Sequence, residues 1–323
     1  MNKYQQRINY RDDIAPILRQ VCGDFDIGQY RSYSTIALGY EDYNLSLTTS
    51  CGKYFVKIFG AYRKRNECQR CVNILKNILD LGVSHPRLLE SKQGYLYEFL
   101  SNDFSDRLIV MQFIEGNNFY ELGQTPNAKE KCFIIEQAAL INKSDINPPP
   151  LYDCWAIVNF GKEYQGKKQY LKEKDKRLIG PLVEAFNSLA IDELPHCFVH
   201  GDIIKTNVMR SIFNQIYILD FSVANYYPRI QELAVIICNL FFDYKSPNEF
   251  LEKYNFAIEE YQKHILLLGV ELEKLPLFLK LGHAMHILLA SYEKNAHGNN
   301  SLENDYFLKN GLVGLELINK IFD

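Results

Sequence analysis

The first third of the chain consists of short apolar runs separated by polar residues. Segments such as "YSTIALGY", "NLSLTTS", "KYFVKIFG", "YLYEFL" and "RLIVMQFI" are rich in β-branched and aromatic residues, and Gly, Asn, Ser and Asp stand between them. This composition predicts strands. Between Asn66 and Leu81 the apolar residues instead recur at helical spacing, and Gly82 follows them. We therefore predict one helix among the strands, with Gly82 placed to end it.

After Gly116 the pattern changes to long helical periods. They occupy "KEKCFIIEQAALINK", "GPLVEAFNSLA", "IQELAVIICNLFF" and most of 248–320, whereas only "CFVH", "NVMR" and "IYILDF" are typical of strands here. The change near "FIEGNN" predicts a boundary between an N-lobe of residues 1–115 and a C-lobe of residues 116–323. We predict an α+β fold with a small, β-rich N-lobe that contains one key helix and a larger, mainly helical C-lobe.

Composition excludes several classes of protein. With 323 residues, 47% of them hydrophobic, the chain is long enough for two packed lobes. Lys and Arg (36) nearly balance Asp and Glu (39), so no basic surface is set aside for nucleic acid. The N-terminal segment is too polar for a signal peptide, and no stretch reaches the roughly eighteen apolar residues of a membrane span. Scattered cysteines suit reduced thiols, so we expect a cytoplasmic protein with no membrane partner, while its oligomeric state has no signature in the sequence.

The segment "CFVHGDIIKTNVM", residues 197–209, interrupts apolar sequence with polar residues. It contains Asp202 and Asn207, and Asp220 ends the next strand-like run, "IYILDF". A β-hairpin between Asn207 and Asp220 would bring their side chains close together. Carboxylate and amide oxygens are the ligands that Mg²⁺ prefers, so this pair is a candidate metal site and Asp202 a candidate base. Each residue taken singly fits a turn or a cap, but the joint spacing favours chemistry.

The motifs "HGDIIKTN" and "LDFSVA", with an upstream "FVKIF" and a helical glutamate, resemble those of the aminoglycoside phosphotransferase and choline kinase family. The resemblance implies a bilobal, protein-kinase-like fold that uses ATP and Mg²⁺. It implies that Asp202 orients and deprotonates the acceptor hydroxyl, and that His200 braces the loop. Asn207 and Asp220 would hold Mg²⁺ against the phosphates of ATP. Lys205 is either a further group that reaches the transferred phosphoryl or a solvated loop lysine.

In the predicted N-lobe, the resemblance assigns residues to nucleotide binding. It implies that Lys57 contacts the α- and β-phosphates and that Glu67, in the first turn of the helix, is its ion-pair partner. Considered alone, Lys57 fits a surface lysine and Glu67 fits a first-turn glutamate favoured by the helix dipole. Gln112, Phe113 and Ile114 would form a hinge whose backbone groups bind adenine.

Three features depart from the pattern of the family. Gly39 stands alone over the presumed phosphate site, followed by Glu41 and Asp42, which we expect to face away from ATP or to bond to backbone N–H groups. Ser222 replaces the last glycine of Asp-Phe-Gly. Glu232 replaces an aspartate at a helix start, where we expect the longer carboxylate to brace the loop.

The spacing after the metal aspartate decides between two kinds of kinase. A helix starts near Ile230, about ten residues after Asp220, and no Ala-Pro-Glu follows, so there is no room for a protein-docking activation segment. We therefore predict a small-molecule kinase, with a non-catalytic nucleotide-binding regulator as the alternative. The acceptor stays open between an amino alcohol such as homoserine or choline, a sugar and an aminoglycoside. Arg229 is a candidate to hold a carboxylate, and Glu232 or Asp243 to hold an amine.

Two further pairs have the spacing of metal ligands. Cys68 and Cys71 lie on the apolar stripe of the predicted helix, and no second cysteine pair stands at usable spacing. We predict that both are buried thiols. His283 and His286, three residues apart on a predicted helix, are expected to be core or cleft histidines rather than ligands.

Overall fold

The computed structural model describes residues 5–10, 12–37, 41–101 and 104–322. The chain divides into two compact units. The N-unit contains the residues up to Gly116 together with Ser211–Tyr217, and the C-unit contains Asn117–Arg210 and the residues from Ile218 onward. The segment Ser211–Tyr217 therefore packs with a unit from which it is distant in sequence.

The N-unit is built on a five-stranded antiparallel sheet. Its strands are β1 (Tyr30–Ile36), β2 (Tyr43–Thr49), β3 (Lys53–Ile58), β4 (Tyr97–Ser101) and β5 (Phe104–Gln112), in the spatial order β1-β2-β3-β5-β4. Helix α1 (Ala15–Asp24) precedes the sheet, and α2 (Arg65–Asp80) follows β3 along the chain. The predicted helix among strands is thus confirmed, while α1 was not predicted.

The two faces of this sheet have different surroundings. Along β2, buried and partly buried residues alternate, and Leu45 packs with Val56 of β3 and Leu18 of α1 in one hydrophobic core. Because side chains alternate along a strand, Lys57 points to the face opposite to Val56. The register pairs Lys57 with Asn44 across β2 and β3. One face therefore supports the core, and the other carries Lys57.

Helix α2 ends just before Gly82, the glycine that the sequence predicts to end it. Gly82 has a φ of 81°, and the N–H of Val83 donates to the carbonyl of Ile78 at 3.0 Å. This is the Schellman arrangement, in which a left-handed glycine lets the chain satisfy the last carbonyls of a helix. The prediction that Gly82 ends the helix is confirmed. Cys68 and Cys71 are buried, free thiols on its inner side, also as predicted.

The C-unit is mainly helical. Its helices are α3 (Ala128–Asn142), α4 (Phe160–Lys167), α5 (Glu173–Asn187), α6 (Ile230–Ile236), α7 (Phe250–Gln262), α8 (Gly269–His297) and α9 (Leu302–Phe322). The predicted fold class, an α+β fold with a sheet in the N-terminal part and helices in the C-terminal part, is confirmed. Among the described residues, none of the helices has the length and apolar character that crossing a membrane requires.

Two small sheets carry the loops of interest. Strand β7 (His196–Val199) pairs with β10 (Asn225–Pro228), and β8 (Val208–Ser211) lies between β6 (Gly116–Asn118) and β9 (Ile216–Ile218). Strands β7, β8 and β9 overlap the predicted "CFVH", "NVMR" and "IYILDF", and β9 covers only the first half of its run. The polar segments that form β6 and β10 gave no strand signal.

Helices α8 and α9 approach each other closely at a glycine. A Cβ atom added to Gly314 of α9 would lie 2.2 Å from Cε1 of His283, so the contact requires a residue without a side chain. His283 and His286 are both buried in this helical core. Within the described part of the chain they belong to no cluster of three or more metal-binding side chains.

Candidate active site

The loop between β7 and β8 holds Asp202 and Asn207 side by side. Nδ2 of Asn207 donates to Oδ2 of Asp202 at 2.6 Å and to the carbonyl of Asp202 at 3.1 Å. Gly201 has a φ of 78°, a left-handed conformation that favours glycine. Because the amide nitrogen of Asn207 is committed to Asp202, its amide oxygen lies on the other arm of the group and can accept from elsewhere.

His200 fixes this loop from inside the C-unit. Its Nδ1 accepts the N–H of Asp202 at 3.1 Å, and its Nε2 lies 2.9 Å from the carbonyl of Leu219. These partners assign the ring proton to Nε2. Burial lowers the pKa of His200 to about 4, so the ring is neutral at physiological pH. The geometry is that of a brace and not of a proton carrier.

Glu232 supports the same loop and is fully buried. Its two carboxylate oxygens accept the N–H groups of His200 at 3.3 Å and of Gly201 at 2.7 Å. Burial raises the pKa of Glu232 to about 7, although the two N–H groups oppose that shift. Arg229 is also engaged, since its Nε donates to Glu271 at 3.0 Å. Arg229 and Glu232 therefore have partners within the fold, and we do not assign either of them to the acceptor.

Asn207 and Asp220 occupy neighbouring positions at the base of the β8–β9 hairpin. The N–H of Leu219 donates to the carbonyl of Asn207 at 2.7 Å. Asp220 has a φ of 61°, which aspartate tolerates better than most residues, and its Oδ1 accepts the N–H of Ser222 at 3.2 Å. An amide oxygen and a carboxylate are hard ligands that suit a Mg²⁺ ion completed by phosphate and water. The two side chains fit the predicted metal site in chemistry and in chain position.

Lys205, in the same loop, is buried beside a cluster of tyrosines. Its Nζ lies 5.5 Å from the ring centroid of Tyr306. The Tyr306 ring lies 5.5 Å from that of Tyr120 and 5.8 Å from that of Tyr244, and we call these three residues the tyrosine cluster. Burial lowers the pKa of Lys205, and the nearby Asp243 partly opposes this shift. Among the described residues, the hydroxyl of Tyr306 has no hydrogen-bond partner.

Sequence reasoning missed the tyrosine cluster. Its members come from three segments that are far apart in the chain, and the sequence contains 22 tyrosines. No local pattern distinguishes these three from the others. They are identified only by the contacts that Tyr306 of α9 makes with the other two rings and with Lys205.

Lys57 is held on its face of the N-unit sheet by an aspartate. Its Nζ lies 3.2 Å from Oδ2 of Asp42. Oδ1 of Asp42 accepts the N–H of Gly60 at 3.0 Å and Nε of Arg63 at 2.9 Å. The expectation that Asp42 bonds to a backbone N–H is thus met, while its salt bridges to Lys57 and Arg63 were not predicted.

Glu67 has a different role from the one that the resemblance implied. Its Oε2 accepts the N–H of Lys64 at 2.8 Å and so satisfies one of the free N–H groups at the start of α2. A glutamate at the third helical position is drawn to the unsatisfied N–H groups of its own helix. The structure therefore pairs Lys57 with Asp42 in place of the predicted Glu67.

The predicted hinge begins with the last residue of β5. Gln112 is the last residue of that strand, and the peptide groups of Phe113 and Ile114 make no hydrogen bond among the described residues. A cavity of about 610 Å³ within the N-unit is lined by all three hinge residues together with Thr48, Lys53, Phe213 and Tyr217. Gly39, the remaining predicted nucleotide contact, lies outside the described residues.

Comparison with known proteins identifies the family of the chain and a relative in sequence. A model described as the phosphotransferase enzyme family matches residues 32–265. A homoserine kinase from Parvibaculum lavamentivorans is 25% identical over 276 residues, which cover 82% of this chain and 81% of the relative. The predicted resemblance to small-molecule phosphotransferases is confirmed at the level of the family.

Two solved structures show the same fold. An amicoumacin kinase in complex with AMP-PNP and Ca²⁺ matches with a TM-score of 0.68 at 15% identity, covering 99% of this chain and 96% of the other. A choline kinase from Streptococcus pneumoniae matches with a TM-score of 0.65 at 13% identity, covering 95% and 99%. The predicted kinase-like fold is confirmed along nearly the whole chain.

Proposed function

We propose, because the chain belongs to the phosphotransferase enzyme family, that it transfers the γ-phosphate of ATP to the hydroxyl group of a small amino alcohol. The observation that carries this proposal is the pairing of Asp202 with Asn207 at 2.6 Å inside the braced loop. A carboxylate held by an amide whose oxygen stays available combines a base with a metal ligand. That combination is what phosphoryl transfer requires.

Asp202 is proposed to orient the acceptor hydroxyl. As the acceptor oxygen bonds to the γ-phosphorus and the bond to ADP breaks, the hydroxyl proton passes to the carboxylate of Asp202. The hydrogen bond from Asn207 and the brace from His200 restrict the rotation of this side chain. Most of the catalytic effect is then positioning, which is the main contribution that a protein makes to phosphoryl transfer.

The phosphates are proposed to be neutralised by one metal ion and one lysine. The amide oxygen of Asn207 and the carboxylate of Asp220 would hold Mg²⁺, and Lys57 would contact the α- and β-phosphates. When bound, the ion offsets the negative charge that the phosphoryl oxygens carry during transfer. The protein contributes few ligands because Mg²⁺ keeps water and phosphate in its shell.

The hinge cavity is the proposed place for the nucleotide base. Its volume of about 610 Å³ falls within the range of roughly 300 to 1,000 Å³ that is typical of ligand pockets. The ring of Phe113 and the side chain of Ile114 offer apolar surface. Their peptide groups have hydrogen-bonding capacity left for the edge of an adenine ring.

Homoserine is the acceptor that we propose to test first. The support is the similarity to homoserine kinases over most of the chain. Homoserine carries an ammonium group and a carboxylate besides its hydroxyl. Asp243 and Lys205 place opposite charges beside the tyrosine cluster in the same unit as Asp202, and they would suit such a zwitterion.

Acceptor identity is tested with a panel. ADP release is measured with homoserine, choline, an aminopropanol and an aminoglycoside, and the phosphate ester is identified by phosphorus NMR. We expect the highest kcat/KM for homoserine. Stabilisation by ATP with no turnover of any acceptor would instead support a non-catalytic nucleotide-binding regulator.

The role of Asp202 is tested by a matched pair of variants. Asp202→Asn keeps the size of the side chain but removes the base, so we expect kcat to fall about 10³-fold while ATP binding is retained. Asp192→Asn makes the same chemical change at an exposed position of the C-unit and should leave kcat unchanged. Wild-type turnover by Asp202→Asn would contradict the assignment.

A further inference from the structure

We propose that Asp42, the residue immediately before β2, is the carboxylate that positions Lys57 for the phosphates of the nucleotide. The inference rests on the proposed phosphotransferase function, because Lys57 belongs to that same site. It replaces Glu67, the helical residue to which the resemblance gave this role.

The contact between Lys57 and Asp42 is short and shielded from water. Nζ of Lys57 lies 3.2 Å from Oδ2 of Asp42, and the two side chains are 7% and 4% exposed. Shielding strengthens the attraction between opposite charges relative to an exposed pair. Such a pair also restricts the conformations of a long lysine side chain more than a solvated pair does.

The pairing follows from the register of the hairpin. Asn44 lies directly opposite Lys57 on the neighbouring strand. Asp42 stands two residues before Asn44, so it shares the same face of the sheet and is the diagonal neighbour of Lys57. The contact is therefore set by backbone pairing and not by a chance approach of two side chains.

Asp42 is itself fixed independently of Lys57. Its other carboxylate oxygen accepts the N–H of Gly60 and Nε of Arg63, and its carbonyl accepts Nη1 of Arg7 at 2.8 Å. Arg63 is buried and also pairs with Glu41. Although burial opposes the charge of Arg63, Asp42 and Glu41 raise its pKa, so the guanidinium stays charged. Asp42 is thus a rigid anchor to which the lysine is attached.

This arrangement also accounts for acidic residues beside a proposed phosphate site. The charge of Asp42 is balanced by Lys57 and Arg63, so it does not repel ATP as a lone carboxylate would. Glu67, in contrast, makes its hydrogen bond to the first turn of α2. A substitution of Glu67 should therefore change the start of α2 more than it changes the position of Lys57.

Kinetics distinguish the two carboxylates. Asp42→Asn keeps an acceptor for Gly60 and Arg63 but removes the charge that faces Lys57. We expect KM for ATP to rise about tenfold and kcat to fall, with KM for the acceptor within about twofold of wild type. Glu67→Gln should leave KM for ATP within about twofold of wild type. An unchanged KM for ATP in Asp42→Asn, or an equal rise in Glu67→Gln, would overturn the proposal.

A second measurement separates this inference from the proposed function. Acetylation of Lys57 by an amine-reactive reagent is followed by peptide mass spectrometry without nucleotide. We expect Lys57 to be labelled at least about three times faster in Asp42→Asn than in the wild type, because loss of the paired carboxylate leaves more of the amine neutral. Glu67→Gln should not change the labelling rate. If Asp42→Asn changes the labelling but the wild-type protein phosphorylates no alcohol, the proposed function is refuted and only the ion pair between Lys57 and Asp42 remains. Wild-type labelling and KM in Asp42→Asn would refute the positioning role alone.

Folding of the variants is checked by thermal unfolding. Where Asp42→Asn does not fold, Asp42→Glu carries the test, because it keeps the charge and displaces it by one methylene group. We expect this variant to retain most of kcat while KM for ATP rises about threefold. An unaltered KM for ATP in Asp42→Glu would count against a positioning role.

Discussion

The position of Asp202 depends on Glu232, a buried carboxylate that bonds to the loop backbone. Its two oxygens accept the N–H groups of two adjacent residues, and a side chain with a single acceptor oxygen would satisfy only one of these groups. With a folded pKa of about 7, Glu232 binds its proton more tightly in the folded state than in the unfolded chain. The contribution of this group to stability therefore falls as the pH rises from about 4.5 to 7.

Buried histidines in the helical core make the stability of the fold depend on pH in the opposite direction. Burial lowers the pKa of His286 to about 4, whereas the unfolded chain binds that proton near pH 6.5. Stability is therefore lost as the pH falls from about 6.5 towards 4. For His286 alone, the loss between pH 8 and pH 5 is about 2 kcal/mol. His283, whose pKa is also lowered by burial, acts in the same direction.

Replacement of His286 by Leu tests this dependence. We expect the difference in unfolding free energy between pH 8 and pH 5, measured by urea denaturation, to shrink by about 2 kcal/mol. His297→Gln changes an exposed histidine of the same helix and should keep the wild-type difference. An undiminished difference in His286→Leu would show that the buried ring does not resist protonation.

At the scale of elements, the contact between α8 and α9 depends on one missing side chain. Because a Cβ on Gly314 would lie 2.2 Å from the His283 ring, Gly314→Ala forces the ring or the helix to move. We expect the free energy of unfolding to fall by about 1 to 3 kcal/mol, measured by urea denaturation.

A second helical glycine provides the control. A Cβ on Gly166 of α4 would meet nothing within 4 Å, so Gly166→Ala should be neutral or stabilise the protein by up to about 1 kcal/mol. Equal destabilisation by both substitutions would mean that the loss at Gly314 does not arise from the close approach to His283.

Elements with local signals were predictable from the sequence. The apolar stripe of α2 and the glycine that ends it lie within one short segment, and β7, β8 and β9 coincide with apolar runs. The spacing of Asp202, Asn207 and Asp220 predicted a candidate site because the loop and the hairpin join them through nearby residues. Such features depend on interactions between close neighbours in the chain.

The missed features depend on long-range pairing. Asp42 reaches Lys57 only because β2 and β3 adopt one register, and a shift of one residue would turn Asp42 to the other face. Glu67 stands at a position that serves either an ion pair or a helix cap, and the sequence does not separate the two. The tyrosine cluster likewise requires the fold of the C-unit. Local patterns do not encode these contacts.

At the scale of the whole molecule, one hairpin links the two units along the chain. Asn207 and Asp220 belong to the C-unit, while the segment between them, Ser211–Tyr217, belongs to the N-unit. Phe213 and Tyr217 of that segment line the cavity next to the hinge. The hairpin therefore supplies the proposed metal ligands to one unit and part of the proposed nucleotide cavity to the other.

Stability in the presence of nucleotide gives a test of the metal site that does not depend on the acceptor. A ligand that binds the folded state at 100 times its Kd adds about 2.7 kcal/mol to the free energy of unfolding. We expect ATP with Mg²⁺ to raise Tm more than ATP with EDTA, and Asp220→Asn to remove most of that difference. The reason is that an amide replaces the one charged ligand of the proposed ion. Asp192→Asn should keep the full difference, and an undiminished Mg²⁺-dependent rise in Asp220→Asn would exclude Asp220 as a metal ligand.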